Sequence, residues 1–398
     1  MNIPKRILPV IIFSQFTCTS LWFAGNAIII DLQSAMNVDL NDVGIVTSAV
    51  QLGFISGTFI FAFFALSDRY SPRKIFLFSS ILGAISNLLI LFIASDLFSL
   101  LVLRFITGFF LTGIYPIGMK IASGWYKKGL GNAIGLLVGA LVIGTALPHL
   151  IKSVGGSLPW EQVIYIVSSI CVIGGVSMYI FVPDGPFINA GTKFNPKAFL
   201  TLIKNRKFKS AAFGYFGHMW ELYAFWVFVP IILIYYNNEY AAELNIFIWT
   251  FFIIAAGGIG CMVGGWISEK VGSAYVAYTQ LLFSGICCLL SPMLLNASEY
   301  MFISYLIFWG IVVAGDSPQF STIIALSAPK ELVGSALTIV NSIGFAITIL
   351  SVWVISQLVD IVSTPYLLIF LAPGPLFGLM SMRSLIFNKE NSRLDLIN

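Results

Sequence analysis

Twelve apolar runs, most of them 20 residues or longer, follow one another with only short charged or turn-rich breaks, and they leave this chain no soluble fold. They read as spans 1–12 over residues 7–34, 42–66, 74–94, 97–125, 130–151, 162–182, 210–236, 245–267, 274–295, 300–327, 334–358 and 366–387. Only 10% of the residues are charged, against about 25% in a soluble domain, so the chain cannot cover itself with polar surface. In lipid every backbone polar group must be paired within the protein, which restricts spanning elements to helices or closed barrels. Runs of this length fit helices, and the alternation of barrel strands is missing. Span 1 is too long for a signal-peptide core and is expected to be retained as a helix.

Orientation follows from the basic residues. Of the 21 Lys and Arg, all but Arg104 and Lys152 fall at the N-terminus, in the even-numbered loops and their flanks, or in the C-terminal tail. The opposite loops carry Asp39, Asp42, Asp96, Glu161, Glu239, Glu243, Glu299 and Asp360. By the positive-inside rule both termini are cytoplasmic. The net charge of +4 reflects this topology and gives no reason to expect nucleic-acid binding. Cys18, Cys171, Cys261, Cys287 and Cys288 all lie inside spans without metal-ligand spacing, so neither a metal site nor a disulfide framework is expected.

The chain repeats itself at half its length. Asp68-Arg69, after span 2, returns as Glu269-Lys270 after span 8, each followed by a small residue, Ser71 or Gly272. Gly108, Gly113 and Pro116 of span 4 return as Gly310, Gly315 and Pro318 of span 10. Ser20-Leu21-Trp22 of span 1 matches Glu221-Leu222-Tyr223 of span 7. The reading is an all-α membrane protein of twelve transmembrane helices in two six-helix pseudo-repeats around a central cavity. Residues 1–182 form the first bundle, 183–209 a cytoplasmic linker with an amphipathic helix, and 210–398 the second bundle with a short tail.

Two parallel repeats of six helices, with an acidic-basic loop after the second helix of each, resemble the major facilitator superfamily. The segment Phe64-Ala-Leu-Ser-Asp68-Arg69-Tyr-Ser71-Pro72-Arg73-Lys74 resembles that family's loop motif, with Phe64 and Ser71 where the pattern has glycine; Gly265 and Gly272 keep both in the second copy. The resemblance implies a secondary carrier with alternating access. It implies gating loops at Asp68, Arg69, Arg73, Glu269 and Lys270, with Asp68 meeting the start of span 11, where free backbone N–H groups favour an anion.

Charges inside spans need a partner or a cavity, because each costs roughly 2.5–3.5 kcal/mol to insert. Arg104 of span 4 resembles an arginine that many family members carry there, and Asp31 of span 1 is its candidate partner; anion attraction, proton coupling and a structural ion pair all fit. His218 and Glu221 share one face of span 7, with Glu221 about 18 Å from the inner end and near the bilayer midplane. A buried carboxylate there fits a proton site, or a packing contact with His218. Asp316 stands beside Pro318, where span 10 can kink or unwind around it. Trp22, Asn26, Tyr115, Trp220, Tyr223, Trp226, Trp309 and Gln319 lie on spans 1, 4, 7 and 10, which line the cavity in the family fold.

The glycines of span 5 loosely resemble a drug/proton antiporter pattern, but Ala140 stands in the place of its proline. Spans 2 and 8 hold no arginine, which disfavours nitrate or nitrite. The expectation is therefore a monomeric bacterial-type inner-membrane carrier, not an enzyme and without cofactor. It would take up a small organic anionic solute with protons as coupling ion. Proton-driven efflux of drugs or metabolites, and a non-transporting membrane sensor, are the alternatives.

Overall fold

The computed structural model describes residues 3–36, 42–126, 129–154, 158–187, 194–329 and 331–386, apart from the side chains of Ser34, Met36 and Asp68. Among these residues all regular structure is helical. Eleven helices are long and apolar enough to cross a membrane. They are spans 2–12: Val43–Phe63, Pro72–Ile93, Leu97–Trp125, Leu130–Ser153, Trp160–Phe181, Arg206–Tyr240, Ile246–Val271, Ser273–Leu294, Glu299–Ser327, Val333–Leu358 and Thr364–Ile386.

Span 1, expected as one helix, is broken into Ile7–Thr19, Ala24–Ala27 and Ile29–Met36. Its partner in the repeat, span 7, runs unbroken from Arg206 to Tyr240. Spans 4 and 10 break at matching places. Span 4 divides into Leu97–Leu111 and Tyr115–Trp125, and span 10 into Glu299–Gly315 and Ser317–Ser327. Pro116 and Pro318 each fall in the first turn of the second piece, where a missing N–H leaves no hydrogen bond unmade. The interruption anticipated at Pro318 is present, with Asp316 between the two pieces.

The repeat is also legible in the packing. A Cβ on Gly108 would collide with the Val50 carbonyl of span 2, and one on Gly310 with the Ile253 carbonyl of span 8. Glycine at these two places lets spans 4 and 10 cross their neighbours backbone to backbone. The charged loops differ more. Gly272 takes φ +88°, which favours glycine, whereas Ser71 has an ordinary φ of −56° and the left-handed residue of its loop is Ala65 at φ 48°.

Spans 5 and 8 pack against each other along much of their length, with Gly139 close under the Gly258 carbonyl. Spans 2 and 11 meet at their acidic-loop ends, where Gly44 lies against Val352 and Ser356. These contacts join the first six spans to the last six. The amphipathic linker helix is shorter than expected, Ala198–Leu202, and Phe208 belongs to span 7. Phe199 packs on Phe208 and Phe216, with ring centroids 6.1 and 6.4 Å apart, so the linker docks on span 7 by its aromatic side.

Candidate functional site

Between the two sets of six spans lies a narrow central cleft. Its walls are Tyr115 of span 4, Val138, Leu141 and Val142 of span 5, one face of span 7, Ala314 and Ser317 of span 10, and Phe345 of span 11. Span 7 contributes Tyr215, Met219, Leu222, Tyr223 and Trp226, which recur at helical spacing and so share one stripe. Trp22 reaches this wall from the break in span 1, stacking on Phe345 at 5.5 Å and lying 5.8 Å from Tyr223. The indole N–H groups of Trp22 and Trp226 are buried without a hydrogen-bond acceptor among the described residues.

His218 and Asp316 stand directly behind the cleft. His218 Nδ1 lies 2.8 Å from Asp316 Oδ1, and each side chain is 1% exposed. Tyr215, which lines the cleft, packs its ring 5.8 Å from the imidazole, and Ser317 follows Asp316 in the chain. The pair joins continuous span 7 to the broken point of span 10.

Glu221 does not partner His218. It faces into the last six spans, where Oε1 accepts from Ser284 Oγ at 2.5 Å, from Trp309 Nε1 at 2.6 Å and from Cys288 Sγ at 3.3 Å. Trp309 is thereby placed away from the cleft, stacked on Phe225 at 4.6 Å. Trp220 likewise points elsewhere, donating its indole N–H to the Phe370 carbonyl of span 12 at 3.1 Å. Gln319 is buried but is not among the residues lining the cleft.

Arg104 is fully buried and does not pair with Asp31. Its Nη2 donates to the carbonyls of Leu21 and Trp22 at 2.9 and 2.6 Å, and Nη1 to Asn87 Oδ1 at 3.2 Å. Those two carbonyls lie at the break in span 1, so the guanidinium satisfies backbone acceptors that a continuous helix would have used itself. Asp31 instead accepts from Lys152 of span 5 at 2.8 Å. Asn26 donates to Thr47 of span 2 at 2.7 Å.

Among the residues expected to gate, the Asp68 side chain lies outside the described residues. Arg73 packs over the Tyr179 ring at 5.2 Å and lies 3.8 Å from Asp184, which also accepts from Ser71 at 2.8 Å. Lys270 sits 4.1 Å from the centroid of the Trp266 ring, while Arg69 and Glu269 are exposed. Arg73 thus contacts span 6 and the start of the linker, while Lys270 contacts its own span 8.

Sequence reasoning did not single out Tyr215, Met219 or Phe345. The first two could have been found, because they extend the stripe that holds Tyr223 and Trp226. Phe345 could not, since nothing in span 11 marks its inward face.

Residues 11–352 match the family model of the Major Facilitator Superfamily. The chain belongs to the Major Facilitator Superfamily. As a member of this superfamily it is a multi-pass membrane transporter for a small-molecule solute. Its structure resembles the crystal structure of the human organic anion transporter MFSD10 (TETRAN) with a TM-score of 0.74. The match covers 96% of this chain and 100% of that one at 12% sequence identity, a likeness of fold. No curated protein matches the sequence.

Proposed function

We propose that this superfamily member is a proton-coupled uptake carrier for a small organic anion with flat apolar area, working by alternating access about the central cleft. The observation that carries the reading is the His218–Asp316 pair, buried between spans 7 and 10 immediately behind the cleft. A proton carrier needs an acid whose partner and access change as the halves rock, and this pair stands at the break in one of the moving helices. The aromatic walls fit apolar solute area, and the unpaired indole N–H of Trp226 supplies a donor for an acceptor on the solute. Glu221, held by two donors of span 9 and one of span 10, is the rival proton site.

In this reading both termini face the cytoplasm of a bacterial-type inner membrane, and the monomer is the working unit. Opening and closing of the cytoplasmic side runs through Asp68, Arg69, Arg73, Glu269 and Lys270. The test is proton flux in proteoliposomes containing a trapped pH dye, screened against organic acids, sugars and amphiphilic drugs. A solute-driven pH change that disappears in Asp316→Asn supports the proposal; hits that move without protons would remove the coupling.

A further inference from the structure

The acidic-loop ends of spans 1, 5 and 8 bury polar groups that the cleft does not use. His149 of span 5 is 2% exposed, and neither ring nitrogen has a hydrogen-bond partner among the described residues. Its ring packs edge-on against Phe23 at 6.5 Å, and Phe23 packs against Trp226 at 6.1 Å. The chain of contacts thus starts at the cleft, where Trp226 forms part of the wall, and runs outward. One turn beyond His149, the Lys152 ammonium donates to Asp31 Oδ1 at 2.8 Å and to the Leu158 carbonyl, and it lies 5.8 Å from the Phe247 ring of span 8. Among the described residues Asp31 Oδ2 has no hydrogen-bond partner, and neither has the hydroxyl of Thr250, which is fully buried one helical turn from Phe247.

Leaving a buried polar group unpaired costs about 1–3 kcal/mol. A seal meant only to exclude water would be apolar; here donors from both sets of spans face the join between them. Lys152 and His149 share a face of span 5; Phe247 of span 8, one turn from Thr250, packs over the Lys152 ammonium, and Trp226 is joined to His149 through the Phe23 ring. Asp31 occupies one direction of the ammonium as a carboxylate from the protein itself.

We propose that these groups form the acidic-loop-side mouth of the solute pathway. When the halves part, Lys152 and His149 receive a carboxylate of the solute, which displaces Asp31, with Trp226 and Thr250 as further donors. The inference rests on the alternating-access reading and names where an organic anion first binds.

The test needs no solute. Thr250→Cys is reconstituted in proteoliposomes and treated with two methanethiosulfonates, sulfonatoethyl (anionic) and trimethylammonioethyl (cationic). Rates are scaled to those of a free thiol, and the wild-type chain, whose five cysteines are buried, serves as the blank. The anionic reagent is expected to react faster. That preference should fall on the order of tenfold with added Lys152→Gln, as removal of one nearby unit charge gives, and rise with Asp31→Asn. Should Lys152→Gln fail to fold, Asp31→Asn carries the test by itself. Equal rates unmoved by either variant would overturn the anion mouth, and so would absence of labelling by both reagents. Solute-driven proton flux is a separate assay, so the carrier reading stands or falls independently.

Discussion

His218 Nδ1 and Asp316 Oδ1 lie 2.8 Å apart across the join of spans 7 and 10, out of reach of solvent in the conformation described. Span 7 is a single helix here, whereas span 10 stops at Gly315 and restarts at Ser317, so His218 lies within a continuous helix and Asp316 at the junction of two helical pieces.

The first prediction concerns that pair. Asp316→Asn and His218→Gln should each reduce solute-driven proton flux at least tenfold while leaving solute counterflow, which needs no net proton movement, within about threefold of wild type. The two assays on the same proteoliposomes separate coupling from binding. Unchanged flux in both variants would move the proton elsewhere.

Glu221 yields the second prediction. Its Oε1 accepts three hydrogen bonds, and an amide oxygen can replace it where a methyl group cannot. Glu221→Gln should keep both the fold and proton coupling. Glu221→Ala should leave Trp309 and Ser284 unsatisfied and cost about 2–6 kcal/mol, from losses of about 1–3 kcal/mol per orphaned group. Thermal unfolding in detergent measures the second effect. Loss of coupling in Glu221→Gln, with Asp316→Asn retaining it, would reverse the roles assigned to the two acids.

Particular residues show how far the sequence could lead. The twelve spans and the repeat were legible because apolar length and glycine spacing are local signals; Gly108 and Gly310 meet matching carbonyls, as their shared offset implies. The break at Asp316 was legible from Pro318 for the same reason. Which charged groups meet was not. Glu221 and His218 are three apart, yet 3.6 residues per turn spreads neighbours over about 60°, enough for His218 to reach span 10 behind the cleft and Glu221 to reach spans 9 and 10 inside the bundle. Arg104 found no carboxylate because span 1 unwinds at Ser20–Phe23 and presents carbonyls instead, and no proline marks that break. Lys152 and His149 lie near the end of span 5, and nothing local in the sequence shows that Phe23 and Asp31 of span 1 and Phe247 of span 8 would pack against them and bury them.

The glycine crossings give a third prediction, with a built-in control. Gly108→Ala and Gly310→Ala each place a methyl group against a neighbouring backbone carbonyl, which forces the helices apart. Each should lower stability by about 1–3 kcal/mol, the usual range for overpacking. Gly334→Ala meets nothing within 4 Å and should be neutral or slightly stabilising, since alanine is the better helix former. Melting temperatures of the three variants in one detergent decide the matter; equal shifts would show that the crossings tolerate separation.

The fourth prediction separates charge from geometry at Arg104. If the guanidinium served the solute as a positive charge, lysine would serve nearly as well. The observed role is different: one planar group spans the carbonyls of Leu21 and Trp22 and the Asn87 amide oxygen together. A single ammonium on a flexible stem cannot reproduce that fork. Arg104→Lys should therefore loosen the break in span 1, with Trp22 losing its stacking on Phe345 and its place beside Tyr223. Stability should fall by about 1–3 kcal/mol for the carbonyls left unpaired, and the solute KM should rise. Arg104→Gln should resemble Arg104→Lys closely. A lysine variant that behaves like wild type beside an inactive glutamine variant would show that the charge itself acts on the solute and that the span 1 carbonyls are incidental to it.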